Sequence, residues 1–354
     1  MNGLVTPHML SFVNRRHVSV AKLEAALRDL INAYHRFALP KLWGEGKTAG
    51  ADGTKYDLYE QNLISEYHIR YGSPGGIVYH HVADNYVALF SHFIPCGVWE
   101  AIYIIEGLLK NTSDIQPKAV TADTQGQSTP VFGLAYLLGI KLMPRIRNWA
   151  DLIFYRPNTD ARYEHIDALF GETVDWELIE THWQDLLRVV LSIKAGKVSS
   201  AVLLRKLGNY SRKNRLYQAF RELGRVVRTV FLLQYISDPE LREGITAVQN
   251  KVEAYNGFAQ WVFFGGEGII AQNDPEEQEK AVKYNDLVAT AVAIQNVVDM
   301  SVALQGLIED GFPLTREDVA GLSLYITRKI KRFGDYVIDL SAPEPLDGAL
   351  ALAL

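Results

Sequence analysis

Apolar residues recur at helical spacing over residues 18 to 39, where Leu23, Leu27, Leu30, Ile31 and Tyr34 share one face, and Pro40, Gly44 and Gly46 close the pattern. The period then shortens. Polar and apolar residues alternate from Gly50 to Tyr59, and Asn62 to Tyr71 is rich in aromatic and β-branched residues. Ile77 to Val82 repeats the strand pattern after a turn expected at Gly72, Pro74, Gly75 and Gly76. Three short strands in succession predict an antiparallel meander. Next come a helix at about 97–110, a strand at Ala119 to Ala122, a helix at about 130–138 with Thr129 as its cap and Pro130 in its first turn, and a strand at Ile140 to Met143. Such alternation implies parallel strands with crossover helices. The remainder reads as helical. Arg145 to about Arg228 holds no strand candidate longer than a few residues, a long helix runs from about Pro239 to Phe264 behind Ser237-Asp238-Pro239, and further helices are expected at about 276–309 and 316–332.

This order predicts an α/β protein with a ribonuclease-H-like mixed sheet flanked by helices, carrying a helical insertion and C-terminal helices. The expected division is a helical lead-in over 1–44, the first part of the core over 45–144, and a mainly helical basic insertion over 145–235. The completed core and C-terminal helices follow over 236–340, then a frayed tail over 341–354.

At 354 residues, 48% hydrophobic and 22% charged, the chain can bury a large core. The opening segment to Val20 carries Asn14, Arg15, Arg16 and His17 where a secretory signal needs an apolar run, and no charge-free stretch of about 18 apolar residues occurs. The expectation is a cytoplasmic protein without a membrane segment. The lone Cys96 excludes an internal disulfide framework and a cysteine zinc site, and reads as a buried thiol. A net charge of −5 is not that of a typical nucleic-acid binder, yet its distribution is uneven. From Arg205 to Arg228 the cations Arg205, Lys206, Arg212, Lys213, Arg215, Arg221, Arg225 and Arg228 face the lone acid Glu222. Lys141, Arg145 and Arg147 form a smaller group, as do Arg328, Lys329, Lys331 and Arg332, while acid collects at Asp274, Glu276, Glu277 and Glu279.

Two glycine motifs carry no phosphate-binding signal. Gly46-Lys47-Thr48 has Lys41 where a phosphate loop needs glycine and is followed by a strand, and Gly265-Gly266-Glu267-Gly268 reads as a helix terminator. His80 and His81, adjacent on a strand, point to opposite faces and cannot readily share a metal. Asp123 stands at the C-terminal end of an apolar strand, where open α/β sheets place ligands. On the long helix an apolar stripe of Val248, Val252, Tyr255, Ala259 and Val262 is flanked by a polar stripe of Gln249, Glu253, Asn256 and Gln260, so Glu253 borders the buried face. Asp52 lies in a strand with Thr54 and Tyr56 on one side, and Asp57 and Asp84 are equally plausible carboxylates by composition.

A run of motifs adds a resemblance. Ala51-Asp52-Gly53-Thr54-Lys55, Glu66 to Gly72, Tyr79-His80-His81-Val82-Ala83-Asp84, Ala122-Asp123-Thr124-Gln125-Gly126-Gln127, Leu138-Gly139, Pro144 to Asn148, Asn214 to Ala219 and Asn250 to Asn256 occur in an order that resembles the C-terminal catalytic half of the Tn-three family of replicative DDE transposases, from about residue 18 to Leu340. The resemblance implies that Asp52, Asp123 and Glu253 are catalytic, metal-binding carboxylates, and so favours Asp52 over Asp57 and Asp84. It also implies Mg²⁺, with Mn²⁺ able to substitute, and 3′-end cleavage and strand transfer in replicative transposition. The partners it implies are transposon ends and target DNA, met by a homo-oligomer on DNA in the bacterial cytoplasm, nucleoid-associated when bound. Arg145, Arg147, Arg212, Lys213 and Arg215 are the candidate phosphate-binding residues. Val252, where a small residue is expected, and the basic Arg328-Lys329-Ile330-Lys331 depart from the family pattern, and the chain begins almost at the catalytic core. The alternatives are a truncated, non-catalytic remnant that binds DNA or full-length transposase, and a stand-alone nuclease.

Overall fold

The computed structural model describes residues 5–59, 62, 65–68, 73–96, 100–209, 214–334 and 337. An exposed helix unforeseen by the hydrophobic pattern, α1 (Pro7–His17), starts behind Thr6, whose hydroxyl caps Met9. In α2 (Val20–Tyr34), Leu23, Leu27, Ile31 and Tyr34 are the buried face, and Ser19 caps Lys22. Pro40 opens a short helix, α3 (Pro40–Trp43), rather than only closing the one before. The strands β1 (Thr48–Leu58), β2 (Glu66–His68), β3 (Ser73–Ala83) and β4 (Ala88–Pro95) follow. Then come α4 (Tyr103–Lys110), β5 (Ala119–Ala122), α5 (Thr129–Leu138) and β6 (Lys141–Pro144), as the alternating pattern predicted.

The sheet is mixed. β3 runs antiparallel to β1 from Ala83 opposite Ala49 to Gly75 opposite Asp57, and its far edge is shared by β4 and β2. β1 pairs in parallel with β5 and β5 with β6. Two expectations fail here. Gly75 and Gly76 do not turn; they lie within β3, because a side chain at Gly75 would come 2.6 Å from the Tyr56 carbonyl and one at Gly76 would overlap the Phe93 ring. β4 is a further strand that the meander lacked. The strand expected over Asn62 to Tyr71 is seen only as β2, with residues 69–72 outside the described ones.

The segment after β6 is mainly helical but includes a small parallel pair, β7 (Phe154–Arg156) and β8 (Phe170–Thr173). The helices α6 (Trp176–Thr181), α7 (Trp183–Lys194), α8 (Ser200–Asn209) and α9 (Arg215–Ser237) complete it. α9 crosses α5 at two glycines: a side chain at Gly224 would overlap the Thr129 carbonyl, and one at Gly133 the Phe220 carbonyl. The start of α5 also differs from expectation. Ser128 holds the cap position, without a side-chain bond, and Thr129 is already helical.

α10 (Pro239–Val262) begins as its sequence predicts, with the Asp238 carboxylate accepting from Leu241 N and Pro239 in the first turn. The glycines that end it, with Gly266 and Glu267 left-handed, lead into β9 (Ile269–Ile270), which joins β1 at Asp57 and Leu58. α11 (Pro275–Glu309) is long and apolar enough to cross a membrane by length and composition alone. Its buried polar residues instead bond neighbouring elements: Lys283 to Ser91, Asn285 to the Ala259 carbonyl and Asn296 to the Leu324 carbonyl. The last expected helix shrinks to α12 (Arg316–Ala320); beyond Gly321 the chain is irregular and is tied down by Asn296, which bonds the Leu324 and Ile326 carbonyls, and by Tyr325, whose hydroxyl reaches the Tyr86 carbonyl. One apolar cluster runs from Leu27 to Leu324, with Cys96 buried in it.

Candidate active site

The far edge of β1 is divided: β5 takes Thr48 to Ala51, β9 takes Asp57 and Leu58, and Asp52 to Tyr56 lie between. Asp52 opens that interval. Gly50 faces α10 so closely that a side chain there would come 3.0 Å from the Val248 carbonyl and 3.3 Å from Val252. By the two-residue period of a strand, Asp52 and Thr54 share that face. Since Ala51 is opposite Ala122 in the parallel register, Asp52, within β1, and Asp123, the first residue beyond β5, come next on the two neighbouring chains.

The polar stripe of α10 is docked on these strands. Gln249 accepts from the Thr121 hydroxyl at 3.0 Å, Asn256 donates to Asp52 Oδ2 at 3.1 Å, and Gln260 donates to Thr54 Oγ1 at 2.9 Å. Glu253 lies on the same stripe between Gln249 and Asn256, whose partners are Thr121 on β5 and Asp52 on β1. The Glu253 carboxylate, half exposed, accepts from Arg145 Nη1 at 3.1 Å, and Arg145 Nη2 donates to Asn250 Oδ1 at 3.2 Å. Arg145 is itself placed by its amide, which bonds the Ala122 carbonyl at 2.7 Å. One oxygen of Asp123 is buried without a hydrogen-bond partner, 4.0 Å from Arg147.

The buried phenol of Tyr79 lies in the field of three carboxylates. Burial, then Glu100, Asp52 and Asp123, hold its pKa well above the ordinary tyrosine value. Glu100 also closes the other face of β1, where a side chain at Gly53 would come 2.6 Å from its carboxylate.

Among the described residues, no three carboxylate, imidazole or thiolate groups stand close enough to hold a metal ion. The donor set nevertheless fits a hard divalent cation in part. Asp52 and Asp123 supply carboxylate oxygens from adjacent strands, and the orphaned Asp123 oxygen is one a cation would satisfy. Glu253 is engaged by Arg145 instead.

The two rival aspartates have other work. Asp84 accepts from Gly46 N at 2.6 Å and Thr48 N at 3.1 Å at the start of β1, and Asp57 pairs with Lys55 at 2.6 Å. His80 and His81 point to opposite faces: His80 meets Asn256 on α10, and His81 the Ile104 carbonyl on α4.

The cationic stretch is less free than its composition suggests. Arg225 pairs with Glu172 at 2.8 Å and Glu222 at 3.0 Å, Arg221 lies 3.5 Å from Glu222, and Arg228 donates to the Gln127 carbonyl at 3.1 Å. Arg147 and Arg215 are exposed, Arg145 is largely covered, and Arg212 and Lys213 lie outside the described residues. Sequence reasoning marked Gln249 and Asn256 as a stripe but not as site residues. Tyr79 and Glu100 carry no local signal, because their partners are distant in the chain.

The family model for the Tn3 transposase DDE domain matches residues 1–336. The transposase for transposon Tn501 of Pseudomonas aeruginosa is 36% identical over 331 residues, which are 93% of this chain and 33% of that protein. The transposase for transposon Tn21 of Escherichia coli is 34% identical over 336 residues, covering 94% of this chain and 34% of its own length. The transposase for transposon Tn1546 of Enterococcus faecium is 32% identical over 302 residues, or 85% of this chain and 31% of that protein. The chain thus spans 31% to 34% of the length of these relatives. The matched region takes in the whole sheet and the helix that bears Glu253, and the chain belongs to the family of Tn3 transposase DDE domains.

Proposed function

We propose that the chain is the catalytic portion of a DNA transposase, cutting 3′ ends of transposon DNA and joining them to target DNA with Asp52, Asp123 and Glu253 as the reactive triad. The strand order β4-β3-β1-β5-β6, antiparallel then parallel, supports a ribonuclease-H-like core. The observation that carries the reading is that Asp52, within β1, and Asp123, just beyond the end of β5, follow the paired Ala51 and Ala122 beneath the helix stripe that bears Glu253.

The three carboxylates would hold Mg²⁺, or Mn²⁺ in its place. Bound there, the metal would supply Lewis acidity toward the phosphodiester and its leaving oxygen. The protein's own part is positioning. Asp52 and Asp123 fix carboxylate oxygens on a rigid sheet, Asn256 holds one oxygen of Asp52, and Arg147 and Arg215 offer charge to DNA phosphates. Glu253, paired with Arg145 at 3.1 Å, would complete the set on release from that contact. Transposon ends, target DNA and assembly as a homo-oligomer on DNA belong to the same proposal.

The test uses purified protein with pre-nicked transposon ends and Mg²⁺. Asp52→Asn, Asp123→Asn and Glu253→Gln each abolish strand joining while DNA binding persists; normal joining by any of them removes that residue from the triad. A non-catalytic chain that only binds DNA is the second reading, favoured by the Arg145–Glu253 contact and by the lack of a three-ligand group among the described residues. It predicts DNA binding without metal-dependent cleavage or joining by the parent chain.

A further inference from the structure

Behind Asp52 a line of buried polar groups crosses the sheet and both covering helices. Asp52, His80 and Ser91 are direct cross-strand neighbours on β1, β3 and β4. Asn256 Nδ2 donates to Asp52 Oδ2 at 3.1 Å. That bond fixes the amide's orientation, since only its nitrogen can donate to a carboxylate, and so turns its oxygen toward His80. Asn256 Oδ1 is 2.8 Å from His80 Nδ1, which must therefore carry the proton and donate. On the far side of the ring, His80 Nε2 lies 3.3 Å from Asp286 Oδ1 on α11 without forming a hydrogen bond. Asp286 is anchored at the far end by the Ser91 hydroxyl and by the Tyr255 hydroxyl at 3.2 Å, and Lys283 bonds the Ser91 carbonyl at 2.6 Å. His80 and Asp286 are at most 1% exposed.

Burying an imidazole, a carboxylate and an ammonium under two helices costs folding free energy that an apolar core would not. A set so placed fixes geometry. We propose that Asn256 and His80, with Asp286 lying against the far side of the ring, are positioning residues for Asp52, a buried polar line that holds its carboxylate in one rotamer for metal binding. The inference rests on the reading of Asp52 as a metal ligand. Partners that orient metal-bound carboxylates and imidazoles characteristically change metal affinity by about 10- to 100-fold when removed.

The experiment measures Mn²⁺ binding to the full chain by calorimetry, with a thermal melt of each variant. Asp52→Asn tests the underlying reading and is expected to lose Mn²⁺ binding at its site; unchanged binding overturns that reading and the inference with it. Asn256→Leu keeps the side-chain shape without the donor and is expected to weaken Mn²⁺ binding by about tenfold or more while the fold melts cooperatively. His80→Asn and His80→Gln then separate geometry from bulk. An asparagine amide falls where Nδ1 stood and can still donate to Asn256, whereas a glutamine amide falls where Nε2 stood. Mn²⁺ affinity close to the parent in His80→Asn but weakened in His80→Gln supports the line. Parent-like affinity in both Asn256→Leu and His80→Gln, with Asp52→Asn still defective, overturns it and leaves Asp52 as a ligand. Should Asn256→Leu fail to fold, the two histidine variants carry the same decision, and equal affinities in them count against the proposal.

Discussion

Arg145 Nη1 lies 3.1 Å from Glu253 Oε1, so the helix-borne carboxylate and one cation expected to meet DNA hold each other. The pair is half exposed on the glutamate side, which limits its worth to about 1 kcal/mol. Arg145→Gln is therefore expected to lower the Mn²⁺ concentration at half-saturation, by no more than about fivefold. DNA binding should weaken across all sequences alike, with the salt slope smaller by about one. Metal titrations and binding isotherms at several salt concentrations read both effects. A higher metal requirement in the variant would mean that Arg145 supports the site rather than competing for Glu253.

The contact between α5 and α9 is set by backbone rather than side chains. A methyl at Gly224 would occupy the position of the Thr129 carbonyl and lie 3.1 Å from Gly133 N, and none of these atoms belongs to a flexible side chain. Gly224→Ala must force the helices apart, at a cost of about 3 kcal/mol or more. By contrast, Gly257 on α10 has no neighbour within 4 Å, so Gly257→Ala should match or exceed the parent in stability. Urea unfolding of the two variants checks the contrast, and equal midpoints would deny the close crossing.

Much of the core was legible because its signals were local. β5 matches its expected span, and α10 begins at the predicted aspartate-proline start, since periodicity and capping need no knowledge of partners. β4 was missed because Ala88, Leu89, Ile94 and Ser91 are buried against both helical layers, which erases the alternation of a half-exposed strand. Gly75 and Gly76 looked like a turn because a sequence cannot show that Tyr56 and Phe93 fill the space of their missing side chains. At the site, the polar stripe on α10 was visible, but its partners Thr121, Asp52 and Thr54 were not. Asp57 and Asp84 were separated from Asp52 only by a family resemblance, and their contacts with Lys55 and with Gly46 and Thr48 emerge from the fold.

Glu106 joins α4 to the start of α8. Its carboxylate accepts from the Ser199 and Ser200 hydroxyls and from Ala201 N, and pairs with Lys110 at 3.2 Å. Burial pushes its pKa up, but the hydrogen bonds from Ser200 and Ala201 and the charge of Lys110 outweigh it and leave the pKa lowered. The contribution is thus present above the unfolded glutamate value and lost as pH falls through the folded one. Glu106→Gln should cost about 1–3 kcal/mol at pH 7 and much less at pH 3, measured by denaturant unfolding. An equal loss at both pH values would assign the effect to packing.

His81 makes the opposite demand on protons. It is fully buried, its Nε2 donates to the Ile104 carbonyl at 2.9 Å, and Nδ1 is left without a partner. Burial lowers its pKa to about 4, with a smaller push in the same direction from His80 and an opposing one from the Ile104 carbonyl. In the unfolded chain the imidazole titrates near 6.5. Above that value both states are neutral and His81 adds no pH dependence. As pH falls from about 6.5 toward 4 the unfolded chain takes up a proton that the folded chain refuses, so stability declines through that window, by about 3 kcal/mol in all. His81→Gln removes the titration while retaining a donor for Ile104. Between pH 6 and 5 the parent should therefore lose about 1 kcal/mol more than the variant, because only its unfolded state gains the proton. Urea midpoints at the two pH values decide the matter: parallel losses would mean that His81 is protonated alike in both states, which a buried ring with one unpartnered nitrogen does not allow.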